Sequence, residues 1–189
     1  MRRALRERRA GLDATDQAAA AMAVMARLFD LAVVRGAPLV AGYRAIRGEI
    51  DLDGLLALLA ERGAIVTVPR VDVDQLEFVP WHPGTASASG SFGIAEPVGG
   101  DPVPFARHSV VLTPLVAFDR QGQRLGQGGG FYDRAMAGAG ADRPVMIGIA
   151  HAFQEVDRVP TEPWDQPLDA VVTDDACIEF RPGALDPLR

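Results

Sequence analysis

The stretch SVVLTPLVAFDRQGQRLGQGGGFYDRAMAGAGADRPVMIGIA, residues 109–150, decides the fold class. Its apolar run SVVLT predicts a buried strand, and a glycine-rich loop follows from Gly122 to Gly130. A helix is predicted from about Phe131, and VMIGIA predicts a second buried strand. Apolar strands that alternate with helices indicate a parallel sheet covered by those helices.

The rest of the chain repeats this alternation. Thr15 or Asp16 is the predicted N-cap of a helix that ends near Gly36, and LDGLLALLAER predicts another helix. The other predicted strands are PLVAGY, AIVTVP, a weaker LEFVPW, AVVT and CIEF, and residues 82–104 have the composition of a loop. We therefore expect an α/β fold, with residues 1–189 forming one three-layer domain whose mainly parallel sheet is covered by helices on both faces.

In such sheets, ligands bind at the carboxyl ends of the strands. The loops that follow those ends are residues 43–51, 114–132 and 151–167. These three loops are the predicted location of the functional site.

The composition excludes several kinds of chemistry. All 19 residues of the Lys+Arg count are arginine, so the chain has no amine for a Schiff base and no lysine for a P-loop. A phosphate group must therefore be held by arginine, backbone N–H groups, a helix N-terminus or a metal ion.

The single cysteine excludes an intramolecular disulfide framework. We expect Cys177 to be buried in its apolar strand and inert. The chain has no apolar run of the roughly 20 residues that a membrane span needs and no signal-peptide pattern, so a cytoplasmic protein is expected.

The charge is distributed unevenly. Residues 1–9 contain five arginines and one glutamate and carry +4, so with a total of −6 the remainder carries −10. An acidic body argues against nucleic-acid binding. The basic end is either a solvated helix end or flexible tail, or a phosphate-binding arm in which Arg2 and Arg6 share one helical face.

Four glycines, at positions 126, 128, 129 and 130, form the strongest candidate for a phosphate site. Without side chains the backbone can approach an anion closely, and Arg124 adds a cation immediately upstream. A flexible loop would explain the four glycines almost as well.

Each acidic residue near these loops has two possible roles, one structural and one functional. Asp133 is a helix cap or a Mg²⁺ ligand, and Asp165 is a turn residue or a Mg²⁺ ligand. Glu49 is an acidic residue at a helix entry or an acceptor for a ring N–H. Trp81 and Phe92 either form a slot for a flat heterocycle or pack in the core.

Several motifs, in this order, resemble the 5-formyltetrahydrofolate cyclo-ligase family over nearly the whole chain. They are a basic N-terminal helix, GEID at 48–51, PR at 69–70, FGIAEP at 92–97, AFDRQGQRLGQGGGFYDR at 117–134 and FQEVDRVPTEPWDQPLDAVVTD at 153–174.

The resemblance implies roles for individual residues. It implies that Arg44 and Glu49 contact folate, together with Gln127, Gly128, Gly129, Gly130 and Phe131. It implies that ATP is bound by Arg2, Arg6, Arg124, Leu125, Gly126, Gln127, Gly128, Gly129, Gly130, Phe131 and Tyr132. It implies that Asp133 and Asp165 bind Mg²⁺. Two positions depart from the family pattern, since Arg2 and Gly129 stand where many members have lysine, and Arg124 is our candidate for the catalytic cation.

The implied reaction is the ATP- and Mg²⁺-dependent conversion of 5-formyltetrahydrofolate to 5,10-methenyltetrahydrofolate, with release of ADP and phosphate. The implied partners are reduced folate and ATP, without nucleic acid or membrane, and we expect a monomer. Two alternatives stay open: a folate-binding paralogue without turnover, and another α/β enzyme acting on a phosphorylated small molecule.

Overall fold

The computed structural model describes residues 1–90, 93–140 and 143–188. The helices are α1 (Arg2–Ala10), α2 (Ala14–Asp30), α3 (Ala32–Arg35), α4 (Asp53–Glu61) and α5 (Phe131–Ala137). The strands are β1 (Leu39–Ala41), β2 (Ile65–Asp72), β3 (Gln75–Pro80), β4 (Ser87–Ser89), β5 (Ala95–Pro97), β6 (Val110–Pro114), β7 (Ala117–Phe118), β8 (Arg124–Leu125), β9 (Val145–Ala150), β10 (Ala170–Thr173) and β11 (Cys177–Glu179).

Seven of these strands form one sheet, in the order β11-β10-β9-β6-β1-β2-β3. The five inner strands, β10 to β2 in that order, are parallel to one another. The edge strands β3 and β11 pair antiparallel with their neighbours. The short hairpins β4–β5 and β7–β8 lie outside this sheet. The mainly parallel sheet that the sequence predicts is therefore confirmed.

Side chains of the inner strands alternate between two apolar layers, because successive residues of a strand point to opposite faces. Val40 and Val110 belong to the core cluster that includes α2, α3 and α4. Ala41 and Val111 belong to the other cluster, with Met136 of α5. Helices thus cover both faces, as expected for a three-layer α/β fold.

The predicted helix boundaries near the N-terminus are wrong in detail. The N-cap of α2 is Asp13, whose carboxylate accepts a 2.8 Å hydrogen bond from the Asp16 amide, so neither Thr15 nor Asp16 caps the helix. The backbone is extended at Leu31, which splits the expected single helix into α2 and α3.

The expectation that Cys177 is buried is also wrong, because its thiol is exposed on β11. That strand lies at the edge of the sheet and therefore has a neighbour on one side alone. Of the described helices, none combines the length and the apolar character that crossing a membrane requires.

Candidate active site

A cavity of about 440 Å³ lies beside the carboxyl ends of β1, β2 and β6. Two of the three predicted loops, 43–51 and 114–132, supply most of its wall, whereas the described cavity-lining residues include none from 151–167. The lining residues are Arg6, Tyr43, Arg44, Ile46, Arg47, Glu49, Pro69, Val71, Leu76, Ile94, Glu96, Pro114, Arg124 and residues 126–133. Most of the predicted site residues therefore face one chamber, together with apolar residues of β2, β3 and the β4–β5 hairpin that the sequence analysis did not select.

The entry to the glycine loop is fixed by a buried carboxylate. Asp119 is 1% exposed, and its Oδ1 accepts hydrogen bonds from the amides of Gln121 and Gln123 at 3.0 and 3.1 Å. Its Oδ2 accepts one from the Val159 amide at 2.9 Å. These bonds close the β7–β8 turn and so aim Arg124 and the following glycines at the cavity. Asp119 was not among the predicted residues, although an aspartate two residues before Gln121 in DRQGQ is typical of a side-chain-capped turn.

The glycines of this loop are required by its geometry. Gly128 and Gly130 have φ values of 110° and 64°, a region that favours glycine. At Gly129 a Cβ atom would lie 2.5 Å from the ring of Phe131. The loop is therefore a defined turn whose backbone forms part of the cavity wall, and not merely a flexible connection.

Arg124 is held in the cavity wall by two acceptors. Its Nη2 donates to Asp133 Oδ1 at 2.6 Å, and its Nη1 donates to the Gln166 carbonyl. The side chain of Arg124 is 5% exposed and that of Asp133 is 22% exposed. The guanidinium charge of Arg124 is therefore balanced by the Asp133 carboxylate.

The two predicted Mg²⁺ residues lie on adjoining segments. The Gln166 amide donates to Asp133 Oδ1 at 3.2 Å, which brings the residue after Asp165 against Asp133. The Oδ2 of Asp165 accepts a 2.8 Å hydrogen bond from the Glu162 amide, so its turn role is observed. Within the described residues there is no group of three or more His, Cys, Asp or Glu side chains suited to a metal ion.

Two of the N-terminal arginines, Arg2 and Arg6, lie on the face of α1 that is turned to the cavity. Arg2 Nε donates to the Gly126 carbonyl at 3.0 Å, and Arg6 lines the cavity. Arg3 is instead solvated, with a side chain that is 91% exposed, and pairs with Glu7. Arg3 is therefore part of a solvated helix end, whereas Arg2 and Arg6 lie at the cavity, where phosphate binding stays a prediction.

Arg9 was missed as a site residue, although it is 2% exposed. Its guanidinium donates to the carbonyls of Arg47 and Leu115 at 3.2 and 3.1 Å, and to Glu49 Oε1 at 3.2 Å. Burial lowers the pKa of Arg9, and the charge of Glu49 opposes that shift. The signal was present in the sequence, because Arg2, Arg6 and Arg9 are spaced at i, i+4 and i+7 on one helical face.

Glu49 is 8% exposed, and both of its carboxylate oxygens accept hydrogen bonds from the protein. Besides Arg9, its Oε1 accepts from Gln127 Nε2 at 3.0 Å, and its Oε2 accepts from the Ile46 amide at 3.2 Å. Burial raises the pKa of Glu49, and the charge of Arg9 lowers it. Glu49 therefore connects the loop after β1 to the glycine loop through Gln127.

The loop before Glu49 is strained and packed against α1. Arg47 has a φ of 49° and Gly48 a φ of 77°. A Cβ on Gly48 would lie 2.3 Å from the Arg9 carbonyl oxygen, and the Gly48 carbonyl is 2.9 Å from His151 Nε2. Arg9 therefore supports the backbone of this loop as well as its carboxylate.

The remaining candidates have structural partners. Arg44 donates to Asp53 Oδ2 at 2.5 Å and lies over the ring of Trp81, 5.3 Å from its centroid. Trp81 is 8% exposed and belongs to the core, so of its two predicted roles the structure supports core packing. Phe92 lies outside the described residues. The aromatic walls of the cavity come instead from residues that include Tyr43 and Tyr132.

A mainly parallel α/β sheet with a glycine loop and arginines at its carboxyl edge is typical of α/β enzymes that bind anionic small molecules. The comparisons with known proteins agree with this class. A family model described as the 5-formyltetrahydrofolate cyclo-ligase family matches residues 1–174. The chain belongs to the 5-formyltetrahydrofolate cyclo-ligase family.

Named relatives support this assignment. The 5-formyltetrahydrofolate cyclo-ligase of Escherichia coli K12 is 36% identical over 174 residues, which cover 89% of this chain and 96% of the relative. The Haemophilus influenzae enzyme of the same name is 35% identical and covers 89% of this chain and 92% of the relative.

Solved structures agree. The 5,10-methenyltetrahydrofolate synthetase of Aquifex aeolicus superposes with a TM-score of 0.83 at 30% identity, covering 96% of this chain and 92% of that one. The Mycoplasma pneumoniae synthetase, at 24% identity and a TM-score of 0.75, covers 92% of this chain and 96% of that one and supports the fold. The predicted family, α/β fold and cyclo-ligase activity are therefore confirmed.

Proposed function

We propose that this enzyme closes the ring of 5-formyltetrahydrofolate at the expense of ATP and releases 5,10-methenyltetrahydrofolate, ADP and phosphate. One observation supports this most strongly: Gln127 Nε2 of the glycine loop donates to Glu49 Oε1 at 3.0 Å. A loop suited to phosphate and a carboxylate suited to a heterocycle are thereby joined in one cavity. ATP and folate can then meet without an intervening wall.

The chemistry requires no protein nucleophile. The formyl oxygen attacks the terminal phosphorus of ATP, so that a C–O–P bond forms and the bond to ADP breaks. The neighbouring amine nitrogen, N10, then attacks the activated carbon, loses its proton, and phosphate leaves with the C–O bond electrons. The protein contributes alignment of the reacting atoms and neutralisation of the phosphate charge.

We assign the nucleotide to the wall formed by Arg2, Arg6 and the segment from Arg124 to Tyr132. The backbone of the glycine loop lies on this wall, and Arg2 is tethered to it through the Gly126 carbonyl. Arg124 is the proposed catalytic cation. Because Asp133 balances the charge of Arg124 and holds its guanidinium in place, Arg124 would meet the phosphate as a pre-positioned donor.

We assign the folate ring to the wall formed by Glu49 and Arg44, with residues 127–131 shared between the two substrates. The carboxylate of Glu49 lines the cavity and is kept in place by three donors. Apolar side chains of Pro69, Val71 and Ile94 line the same cavity and suit the faces of a flat ring.

Mg²⁺ fits this proposal through Asp133 and Asp165. Mg²⁺ usually takes one or two carboxylates together with phosphate oxygens and water. Asp133 lines the cavity, and its Oδ2 makes no hydrogen bond within the part of the chain that the structure describes. When bound there, Mg²⁺ would neutralise phosphate oxygens of ATP.

The metal assignment is tested by calorimetric titration of ATP at several Mg²⁺ concentrations. In Asp165→Asn, and more so in the double variant with Asp133→Asn, ATP binding and turnover should need a higher Mg²⁺ concentration. The single variant is the cleaner comparison because Asp133 also anchors Arg124. A Mg²⁺ dependence identical to that of the unaltered enzyme would refute the assignment.

We further propose a cytoplasmic monomer that acts on small molecules and binds no nucleic acid or membrane. The net charge of −10 outside residues 1–9 supports this by disfavouring polyanionic partners. Sedimentation velocity should give a mass near 20.1 kDa, and a stable dimer mass would contradict it.

The function is tested by mixing the protein with 5-formyltetrahydrofolate and MgATP, and following the methenyl chromophore and ADP together. Equal amounts of both products are expected. Folate binding without ADP would favour the paralogue without turnover, for which the missing cation at Gly129 is the supporting observation. Absence of folate binding would favour an enzyme acting on another phosphorylated small molecule.

A further inference from the structure

Arg134 of α5 places an exposed guanidinium group against the glycine loop. Its Nη1 donates to the Gly129 carbonyl at 2.9 Å, and a Cβ atom on Gly130 would lie 3.0 Å from the same nitrogen. Its Nε and Nη2 donate to the Asp74 carbonyl, in the turn between β2 and β3, at 3.2 and 2.7 Å. The guanidinium is therefore anchored beside two glycines that line the cavity.

The charge of Arg134 has no carboxylate partner in the part of the chain that the structure describes. Its hydrogen bonds go to backbone carbonyls, and the ion pairs among the described residues do not include it. Arg124 differs, because Asp133 balances its charge at 2.6 Å. A guanidinium group carries more N–H donors than the bonds of Arg134 use, so donors and charge remain for an anion.

The backbone of the glycine loop is polarised in a way that suits an anion. The Gly126 carbonyl accepts from Arg2 Nε at 3.0 Å and the Gly129 carbonyl accepts from Arg134, so a guanidinium group lies near each end of the loop. Within the described residues, the amides of residues 126–130 donate to no protein acceptor. Cations at the carbonyls and available N–H groups together favour a negatively charged ligand.

The size of the cavity indicates that part of the nucleotide lies at its rim. A volume of about 440 Å³ is near the lower end of the range for a single drug-sized ligand. The proposed reaction brings ATP and folate together, and the folate ring is assigned to the chamber itself. Arg134 lies at the rim, next to the lining residues Gly129 and Gly130.

We infer that Arg134 is a phosphate-binding residue of the nucleotide site, and that it contacts ATP beside Gly129 and Gly130, whereas Arg2 lies beside Gly126. This role rests on the proposed function, since it takes ATP as the anion. The planar guanidinium is suited to a forked pair of hydrogen bonds with phosphate oxygens. In a chain without lysine, Arg134 thereby supplies a cation to this part of the loop.

The test compares Arg134→Gln and Arg134→Lys with Arg35→Gln. Arg35 is a matched control, because it is exposed and donates to backbone carbonyls, and it precedes the amino end of β1 on the far side from the cavity. Titration calorimetry measures MgATP binding and 5-formyltetrahydrofolate binding separately. Loss of a charged donor should weaken MgATP binding about tenfold in Arg134→Gln. Arg134→Lys keeps the charge and should lose less than about threefold, with folate binding unchanged in both variants and MgATP binding unchanged in the control.

Salt dependence separates the charge of Arg134 from its contacts within the protein. Glutamine and lysine both lack the guanidinium fork that joins Asp74 to Gly129, so the difference between the two variants reports the charge. That difference should be largest at low salt and shrink toward about 1 M salt, where the Debye length falls to about 3 Å. A residue that only held the loop would give variants of equal MgATP affinity at every salt concentration, and that result would overturn the inference.

Two other results would also overturn it. One is an MgATP affinity in Arg134→Gln equal to that of the unaltered protein. The other is folate affinity weakened as much as MgATP affinity, which would show that Arg134 acts by positioning Phe131, whose ring centroid lies 5.0 Å from the Arg134 Cζ. Failure of the proposed function is distinguishable: if the unaltered protein binds both substrates without forming ADP, the proposed turnover fails, and the Arg134 titration still decides the inference.

Discussion

Replacing Arg9 with methionine should destabilise the folded protein strongly. Methionine keeps an apolar stem in α1 and removes the donors to the Arg47 carbonyl, the Leu115 carbonyl and Glu49. Removing one partner of a buried ion pair typically costs about 3–5 kcal/mol, because the other charge stays buried. We expect a loss of about 4 kcal/mol, near the middle of that range, since the orphaned carbonyls add to it and local relaxation offsets part of it.

That loss is large enough to measure by heat or urea. In a protein of this size, each 1 kcal/mol lowers the midpoint of thermal unfolding by roughly 2–4 °C, so Arg9→Met should unfold about 8–16 °C lower. Arg3→Met is the control on the same helix, because its side chain is 91% exposed. Its midpoint should move by less than about 2 °C, in line with the small effects of surface substitutions.

The pH dependence identifies the cause. Burial already raises the pKa of Glu49 while Arg9 lowers it, so without Arg9 the pKa in the folded state should rise further. The folded protein then binds more protons than the unfolded chain, and stability falls as pH rises from the usual carboxyl value of about 4.3 through the raised value. The deficit of Arg9→Met should therefore be largest at neutral pH and shrink as Glu49 is protonated.

A double-mutant cycle of Arg9→Met with Glu49→Gln tests whether the uncompensated Glu49 charge causes the loss of stability. Because the neutral amide needs no counter-charge, the double variant should regain part of the stability that Arg9→Met loses, and its remaining loss should vary little with pH. A deficit below about 1 kcal/mol for Arg9→Met, far under the buried-pair range, would refute the proposed support of the site by Arg9. So would a deficit equal at pH 5 and pH 8.

Three further predictions follow from the cavity wall and the edge strand. Arg124→Ala should lower kcat by about 10²–10³-fold while the folate affinity changes little, because a preorganised charge at the phosphate is lost. The control is Arg120→Ala, which alters an exposed neighbour. A normal kcat in Arg124→Ala would exclude the catalytic role. Gly129→Ala and Gly129→Lys should both displace Phe131, since a Cβ at position 129 would lie 2.5 Å from the Phe131 ring. The difference in ATP affinity between the two variants therefore measures the effect of the added cation, and Gly129→Lys should bind ATP more tightly. Equal affinities would show that the existing arginines suffice. Cys177 is exposed and should react with a thiol reagent in the native protein. Partial desolvation of the thiol, together with the nearby charge of Glu179, raises its pKa, so the reaction rate should rise at higher pH than for an ordinary thiol. Protection equal to that of a core thiol would contradict its exposure.

The α/β architecture was predictable because its signals are local. Apolar runs such as SVVLT and VMIGIA are continuous, and glycine and proline mark the loops between them. The β4–β5 hairpin was not predictable, since glycine and serine dominate residues 84–93 and its strands are three residues long. That hairpin carries Glu96, so the missed element also concealed a cavity residue.

The position of cavity-lining residues was predictable where a motif follows a predicted strand, as for Glu49 and Arg124. Burial was harder to predict. Arg9 sits among five arginines within nine residues, and composition alone does not indicate which of them points inward. The prediction that Cys177 is buried was wrong because its apolar strand lies at the edge of the sheet, where some side chains stay exposed.

The fate of the formyl oxygen shows directly whether the ring closes by attack of that oxygen on ATP. The enzyme would be given 5-formyltetrahydrofolate labelled with ¹⁸O in the formyl group together with unlabelled ATP, and the released phosphate analysed by mass spectrometry. We expect one ¹⁸O atom in each phosphate formed with the methenyl product. Methenyl product accompanied by unlabelled phosphate would contradict it, because ATP would then have been cleaved by water.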